Sequence, residues 1–392
     1  MTDAPLEAGS LNNGRTGLER RRVLGALAGL PLLLTGRAGR SHAAEAQTLS
    51  GQTLSGQILS GQNLDPAGPA ENFPTQITAV IAGQEGGNTD AWARVILAAL
   101  AQTLPPGTAL RGLAAGAADG VTGANQFETR LAPDGARLLV APGAAALAWL
   151  AGDPRAQFDV GHWVPVIAGM SPGVVALRGG RAGLAAGRKI RIATASPIGP
   201  ELAALLGVDL LGAQPVPVPG LMDDAAIRAA LAKGSIDGVL LRGRKVAEKV
   251  AAMASLEVLP VFALGGLNER GAAARDPQFP DLPEFTELLA ALRPEAAAGP
   301  LVDGWRAIAA AARLEFAVVL PQLTPAAMVA QWRRAASEAT ATPELAKATS
   351  EQMIRTFGGA AGAAEIAAVA AQAGTLLELR SWLGARLDWR PS

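Results

Sequence analysis

Gln76-Ile-Thr-Ala-Val-Ile-Ala-Gly-Gln-Glu-Gly-Gly-Asn-Thr-Asp90, running on through Ala91-Trp-Ala-Arg-Val-Ile-Leu-Ala-Ala-Leu100, reads as a strand, a tight turn and a helix. Ile77 to Ala82 is a short apolar run rich in β-branched residues, the pattern of a buried strand. Gly83, Gly86 and Gly87 interrupt it and permit backbone conformations that a side chain forbids. Asn88, Thr89 and Asp90 suit a helix N-cap or first turn, and Trp92, Val95, Ile96 and Ala99 then recur at helical spacing. Free backbone N–H groups and the positive end of the helix dipole therefore face outward just past the strand, a place suited to a carboxylate or another anion.

Outward from this unit, strands and helices alternate. Gly116 to Ala124 is a second glycine-rich turn entering a helix, and Ala132-Pro-Asp-Gly135 leads into a strand at Arg137 to Ala141 and a turn at Pro142-Gly143. Val164 to Ala168 and Val174 to Leu177 are further strand-like runs. A Gly- and Arg-rich break from Gly179 to Lys189 precedes a second set. That set comprises a strand at Ile190 to Ala193, the turn Ser196-Pro-Ile-Gly-Pro200 opening a helix through Leu206, and an extended Gln214 to Pro219. It continues with a helix from Asp223 to Ala232, a strand from Ile236 to Leu241, a helix from Lys245 to Ala254 and a strand from Val258 to Leu264. Pro325 to Leu387 reads as a series of Ala-rich helices. The alternation predicts α/β architecture with parallel sheets. Two lobes are expected, 73–176 with 314–392 returning to it, and 177–313, with a ligand cleft at the carboxyl ends of strands.

The first 72 residues read differently. Arg20-Arg-Arg-Val-Leu24 precedes an apolar run from Val23 to Leu34, and small residues surround Ser41-His-Ala-Ala-Glu-Ala46. A basic start, a short apolar core and an Ala-x-Ala-like end predict a secretory signal peptide over 1–46, cleaved near Ala44 to Ala46, and the paired arginines resemble the twin-arginine export motif. Leu49-Ser-Gly-Gln repeats at five-residue spacing to Leu64, too few copies to bury a core, so 47–72 is read as a flexible leader. The chain has 34 basic and 34 acidic residues. Removing 1–46, with six arginines and four acids, leaves 28 and 30, a net of −2 that offers no basic face to nucleic acid. Without cysteine there is no disulfide and no lipid-accepting thiol, so a free, monomeric periplasmic protein with a self-sufficient core is expected.

The order of motifs resembles the solute-binding receptors of tripartite tricarboxylate transporters, the Bug or TctC type. The resemblance rests on Gly86, Gly87 and Asp90 followed by Ala93-Arg94, on Gly116 to Gly123, and on Ala132-Pro-Asp-Gly135 before a strand. It extends through Phe158-Asp159, Trp163-Val-Pro-Val166, Val216-Pro-Val-Pro219, Gly234-Ser-Ile-Asp237, Asp276 to Glu284 and Thr324-Pro325. It implies a two-lobed, periplasmic-binding-protein-like (type II) α/β fold, no cofactor or metal, a small carboxylate as ligand, and a membrane permease and the twin-arginine export machinery as partners. It also implicates Gly86, Gly87, Asn88 and Thr89, with Pro142, Gly143 and Ala144, and Ser196 and Gly199 from the second lobe, as groups that hold the carboxylate. The sequence departs from the pattern at Ile81-Ala82, Gln84-Glu85, Ala136 and Pro219-Gly220-Leu221, which removes aromatic residues near the cleft. Leu288 to Arg313 is longer than the family's connection there.

Glu85 admits two readings, a solvated loop carboxylate or a counter-charge for a ligand amine. Asp90 is read as a helix cap and Asp237 as structural. An enzyme would need catalytic groups, and beyond residue 46 the chain has one histidine, His162, in a Gly161-His-Trp163 context without a nucleophile elbow. Clustered metal ligands are absent from the sequence pattern. A binding protein is therefore expected; a ligand sensor for a signalling partner and a hydrolase on the same fold are the alternatives.

Overall fold

Successive residues of the first strand, β1 (Gln76–Ala82), face two different cores, and that alternation organises everything around it. The computed structural model describes residues 73–129 and 132–390; the expected signal peptide, its twin-arginine motif and the repeat-bearing leader lie outside the described residues. The order continues α1 (Asn88–Thr103), β2 (Ala109–Ala115), α2 (Val121–Thr129), β3 (Arg137–Ala141), α3 (Gly143–Ala151) and β4 (Val164–Met170). The chain then enters a second sheet with β5 (Gly173–Arg178), β6 (Lys189–Thr194), α4 (Leu202–Leu210), β7 (Gln214–Pro219), α5 (Asp224–Ala232), β8 (Gly238–Arg242), α6 (Val246–Met253) and β9 (Val258–Ala263). A small hairpin, β10 (Gly266–Leu267) and β11 (Ala273–Ala274), precedes α7 (Phe285–Leu292) and α8 (Pro300–Arg313). Then come β12 (Leu314–Leu320), α9 (Ala326–Thr340), α10 (Pro343–Glu351), β13 (Arg355–Gly358), α11 (Gly359–Ala367) and α12 (Ala373–Leu387).

The first sheet has the order β13-β4-β12-β3-β1-β2 and the second β7-β6-β8-β5-β9. The change of sheet falls between Met170 and Gly173, a few residues before the expected end of the first lobe at 176. Strands β1, β2 and β3 are parallel, as are β6, β7 and β8. The expectation of purely parallel sheets is corrected by β12, antiparallel to β3 and β4, and by β5, antiparallel to β8 and β9. β5 enters the second sheet directly from β4, and β12 returns to the first through α7 and α8 after the whole second sheet, so neither is joined to a sheet neighbour by the βαβ crossover that makes neighbours parallel. The tail is not wholly helical either: β13 pairs antiparallel with β4.

Ile77, Ala79 and Ile81 pack with α1 and α9 on one face of the first sheet, while Val80 and Ala82 face a core that also holds Val175, Leu177 and Ile192 of the second. This shared core is filled by α3, α4, α8 and α12. Helix α8 is buried nearly all round from Ala307 to Arg313, and its alanines let neighbouring helices approach closely. Trp305 anchors it, stacking on Phe285 at 4.0 Å and donating its indole N–H to the Ala203 carbonyl at 2.8 Å. The far face of the second sheet is closed by α5 and α6 around Leu231, Val239 and Val246.

Candidate ligand-binding cleft

Two helix N-termini converge where the sheets meet. Gln84 to Gly87 form a turn closed by the Gly87 amide on the Gln84 carbonyl at 3.1 Å, with Gly86 at φ +73°, a conformation glycine adopts without strain. Gly87, in extended backbone, is the N-cap of α1, and no side chain caps it. Pro142 likewise caps α3 without a side-chain hydrogen bond. The amides of Asn88 and Thr89, and of Gly143 and Ala144, are thus first-turn donors without intrahelical acceptors. Gly143 must be glycine: a Cβ there would run into the carbonyl oxygens of Ala311 and Leu314, against which α3 starts.

These residues line one cavity of about 170 Å³: Gly87, Asn88 and Thr89 from the first turn, and Pro142, Gly143 and Ala144 from the second, with Arg242 and Glu315. Arg242 ends β8 in the second sheet; Glu315 is the second residue of β12 in the first. Arg242 Nη2 donates to Glu315 Oε1 at 2.9 Å, and Ser171, in the crossing between the sheets, donates its hydroxyl to the same oxygen at 2.7 Å. The buried Arg242 Nε has no hydrogen-bond partner among the described residues. The sequence reading missed both side chains. Their signal was a charged residue at a strand's carboxyl end, and the one acid inside the apolar run Leu314 to Leu320.

The remaining sequence-predicted residues lie elsewhere. Gly86 shapes the turn, and Glu85 is exposed beside a neighbouring groove with Asp90 and Arg94, not in the cavity. Ser196 and Gly199 do not line it either. Their turn is filled from within, because Glu201 folds its carboxylate back over it, so that a Cβ on Gly199 would collide with Glu201 Oε2. Burial pushes the Glu201 carboxyl above its ordinary value, partly offset by backbone amides and the Arg242 charge. Asp90 takes up the Gly86 amide at 2.9 Å and the Arg94 guanidinium at 3.0 Å. The Gly86 amide, aided by Arg94, holds its carboxyl below the ordinary value against burial. Asp237 is held down the same way by the Arg191 guanidinium, at 2.8 Å. His162 meets Glu128 at 3.2 Å, and among the described residues no serine hydroxyl is hydrogen-bonded to its ring. Among those residues no group of His, Cys, Asp or Glu could hold a metal, and no helix is long and apolar enough to cross a membrane.

No family model matches this sequence, and no curated protein matches it. Among solved structures, a TctC solute-binding protein from Polaromonas overlays it with a TM-score of 0.58 at 16% identity, covering 80% of this chain and 98% of that one. The fold is that of a TctC-type solute-binding protein. Also similar are MatC from Rhodopseudomonas palustris with bound malate, at TM-score 0.46, 22% identity and 80% and 100% coverage of the two chains. A further Rhodopseudomonas palustris protein, with adipate, follows at TM-score 0.48, 15% identity and 79% and 97% coverage. The TctC-type fold places both glycine-turn helix starts and Arg242 at the meeting of the two sheets, where an α/β protein of this kind has its crevice.

Proposed function

We propose that this protein is a periplasmic receptor that captures a small organic carboxylate between its two lobes, 73–176 with 314–392 and 177–313, and delivers it to a permease of the tripartite tricarboxylate type. The observation that carries the reading is the convergence of two uncapped helix N-termini and the Arg242 guanidinium on one cavity. Backbone donors and helix dipoles favour negative charge there, and Arg242, its charge shared with Glu315, keeps an unpartnered Nε. The carboxylate is held by Asn88, Thr89, Gly143 and Ala144 amides; Gly86 and Gly87 set the turn. Function is equilibrium capture without turnover, and 1–46 directs export.

A thermal-shift and calorimetric screen of the mature protein against di- and tricarboxylates, aromatic acids, amino acids and polyamines tests this, because a ligand that binds the folded state raises the melting temperature. Carboxylate hits are expected, with binding about 10-fold weaker or more in Arg242→Gln. Hits confined to polyamines, or di- and tricarboxylate binding indifferent to Arg242, would overturn the reading. Intact mass of the exported protein tests the leader: a retained Met1 contradicts it.

A further inference from the structure

A larger cavity, of about 490 Å³, lies between α8, α11 and the β10–β11 hairpin and shares no lining residue with the cleft among the described residues. It is lined in part by Leu264, Leu267, Trp305, Ala310, Arg313 and Glu365. Arg313, the last residue of α8, is only 5% exposed and Glu365 only 2%. Their closest approach, Arg313 Nη1 to Glu365 Oε2, is 3.8 Å, beyond hydrogen-bond reach. Arg313 Nε and Glu365 Oε2 both lack a hydrogen-bond partner among the described residues. A buried guanidinium and a buried carboxylate that face one cavity and leave both a donor and an acceptor unused are costly unless something else completes them. Burial holds the Arg313 guanidinium below its ordinary value and lifts Glu365 above its own.

We infer that this cavity is a second ligand site, for a small monocarboxylate with an apolar body and an adjacent amine or hydroxyl. The ligand carboxylate pairs with Arg313, its amine or hydroxyl donates to the Glu365 carboxylate, and its body lies against Trp305, Leu264 and Ala310. Charge selects the monocarboxylate. Asp303 is tied to Arg306 at 2.7 Å, which leaves Arg313 to pair a single ligand carboxylate beside Glu284 and Glu365, so a second carboxylate would be repelled. Asp276 and Arg355, whose charges also reach Arg313, act on it in opposite directions. The Glu284 carboxylate is already spent on the Thr286 and Glu287 amides at the start of α7. Asp303, Trp305, Arg306, Ala309, Ala310 and Arg313 bring α8 into the lining. The site adjoins the crossing between the sheets, since the Arg313 carbonyl accepts the Ser171 amide at 2.8 Å.

Calorimetric titration of the mature protein with L-phenylalanine, L-leucine and mandelate, with hydrogen exchange of residues 264–274, tests the site. Two variants probe it: Ala310→Leu, which intrudes where the ligand body is placed, and the double variant R313M/E365L, which replaces the pair by apolar side chains of similar bulk and is expected to fold. At least one probe should bind, protect 264–274, and bind at least 10-fold more weakly in both variants while ignoring Arg242→Gln. No binding by any of the three, binding kept in either folded variant, or binding lost in Arg242→Gln would each overturn the proposal. The last outcome would assign the probe to the cleft, so the two sites fail separately.

Discussion

Two carboxylates show how opposite local environments give opposite pH behaviour. Asp90 is stabilised as the anion by the Gly86 amide and Arg94, so its folded-state value is depressed. Its contribution is full above the ordinary value of 3.8 and is lost as pH falls through the lowered one. Asp90→Asn should therefore cost about 1–3 kcal/mol at pH 7, the worth of hydrogen bonds to a charged group, and the gap to wild type should narrow in urea melts as pH falls below 3.8. Glu201 has the reverse sign. Burial raises its folded-state value, so the stability tied to its neutral form is full below the ordinary 4.5 and is lost as pH rises through the raised value. Glu201→Gln should leave Tm unchanged near pH 4 and raise it above wild type at pH 8. A variant that is less stable at pH 8 would mean that the Glu201 charge is needed by Arg242. At this scale Asp90 was readable in part: it stays out of the cavity as expected, but its carboxylate holds the Gly86 amide of the turn and Arg94 rather than capping the helix. Arg242 and Glu315 were not, because 73 residues separate two groups that only the meeting of the sheets brings together.

Among the elements, α3 bears most directly on the candidate site. Its start is wedged against the end of α8, and Gly143 has no space for a Cβ beside the Ala311 and Leu314 carbonyls. Gly143→Ala should move the helix start, destabilise the fold by about 1–3 kcal/mol as overpacking does, and weaken carboxylate binding beyond what the lost stability explains. Denaturant melts and calorimetry on the same sample separate the two; unchanged binding would argue that the α3 amides do not touch the ligand. The strand, turn and helix of 76–100 were legible as β1, the Gln84 to Gly87 turn and α1, because period-2 and period-3.6 patterns meet at glycines. The direction of β12 was not, since an apolar run looks the same from either end, and β13 was hidden by its Ala-rich surroundings.

The molecule as a whole has two sheets but one shared core. Val80, Leu139 and Ala317 of the first sheet, and Val175, Ile192 and Val261 of the second, belong to the same cluster, bridged by α3, α4, α8 and α12. Side chains reinforce the bridge: Trp382 of α12 donates to Asp209 of α4 at 2.8 Å. Opening one sheet exposes the packing surface of the other, so residues 73–390 are expected to unfold in a single calorimetric transition whose van't Hoff and calorimetric enthalpies agree. Two resolved transitions would show that the lobes are independent. Trp305→Ala, which removes the centre of the bridge, should cost about 3–5 kcal/mol without splitting the transition.

The sequence by itself determined the local units: where strands, glycine turns and helices fall, and that helix N-termini follow strand ends. Those follow from side-chain periodicity and from backbone freedom at glycine, which act over a few residues. The tertiary structure alone decided which N-termini share a cavity, that Glu201 occupies the turn of Ser196 and Gly199, and that Arg242 and Glu315 close the cleft. It also decided that Arg313 and Glu365 face one buried space. Proximity between residues far apart in the chain is set by sheet order and by the packing of Ala-rich helices, and neither is written in any short stretch of sequence.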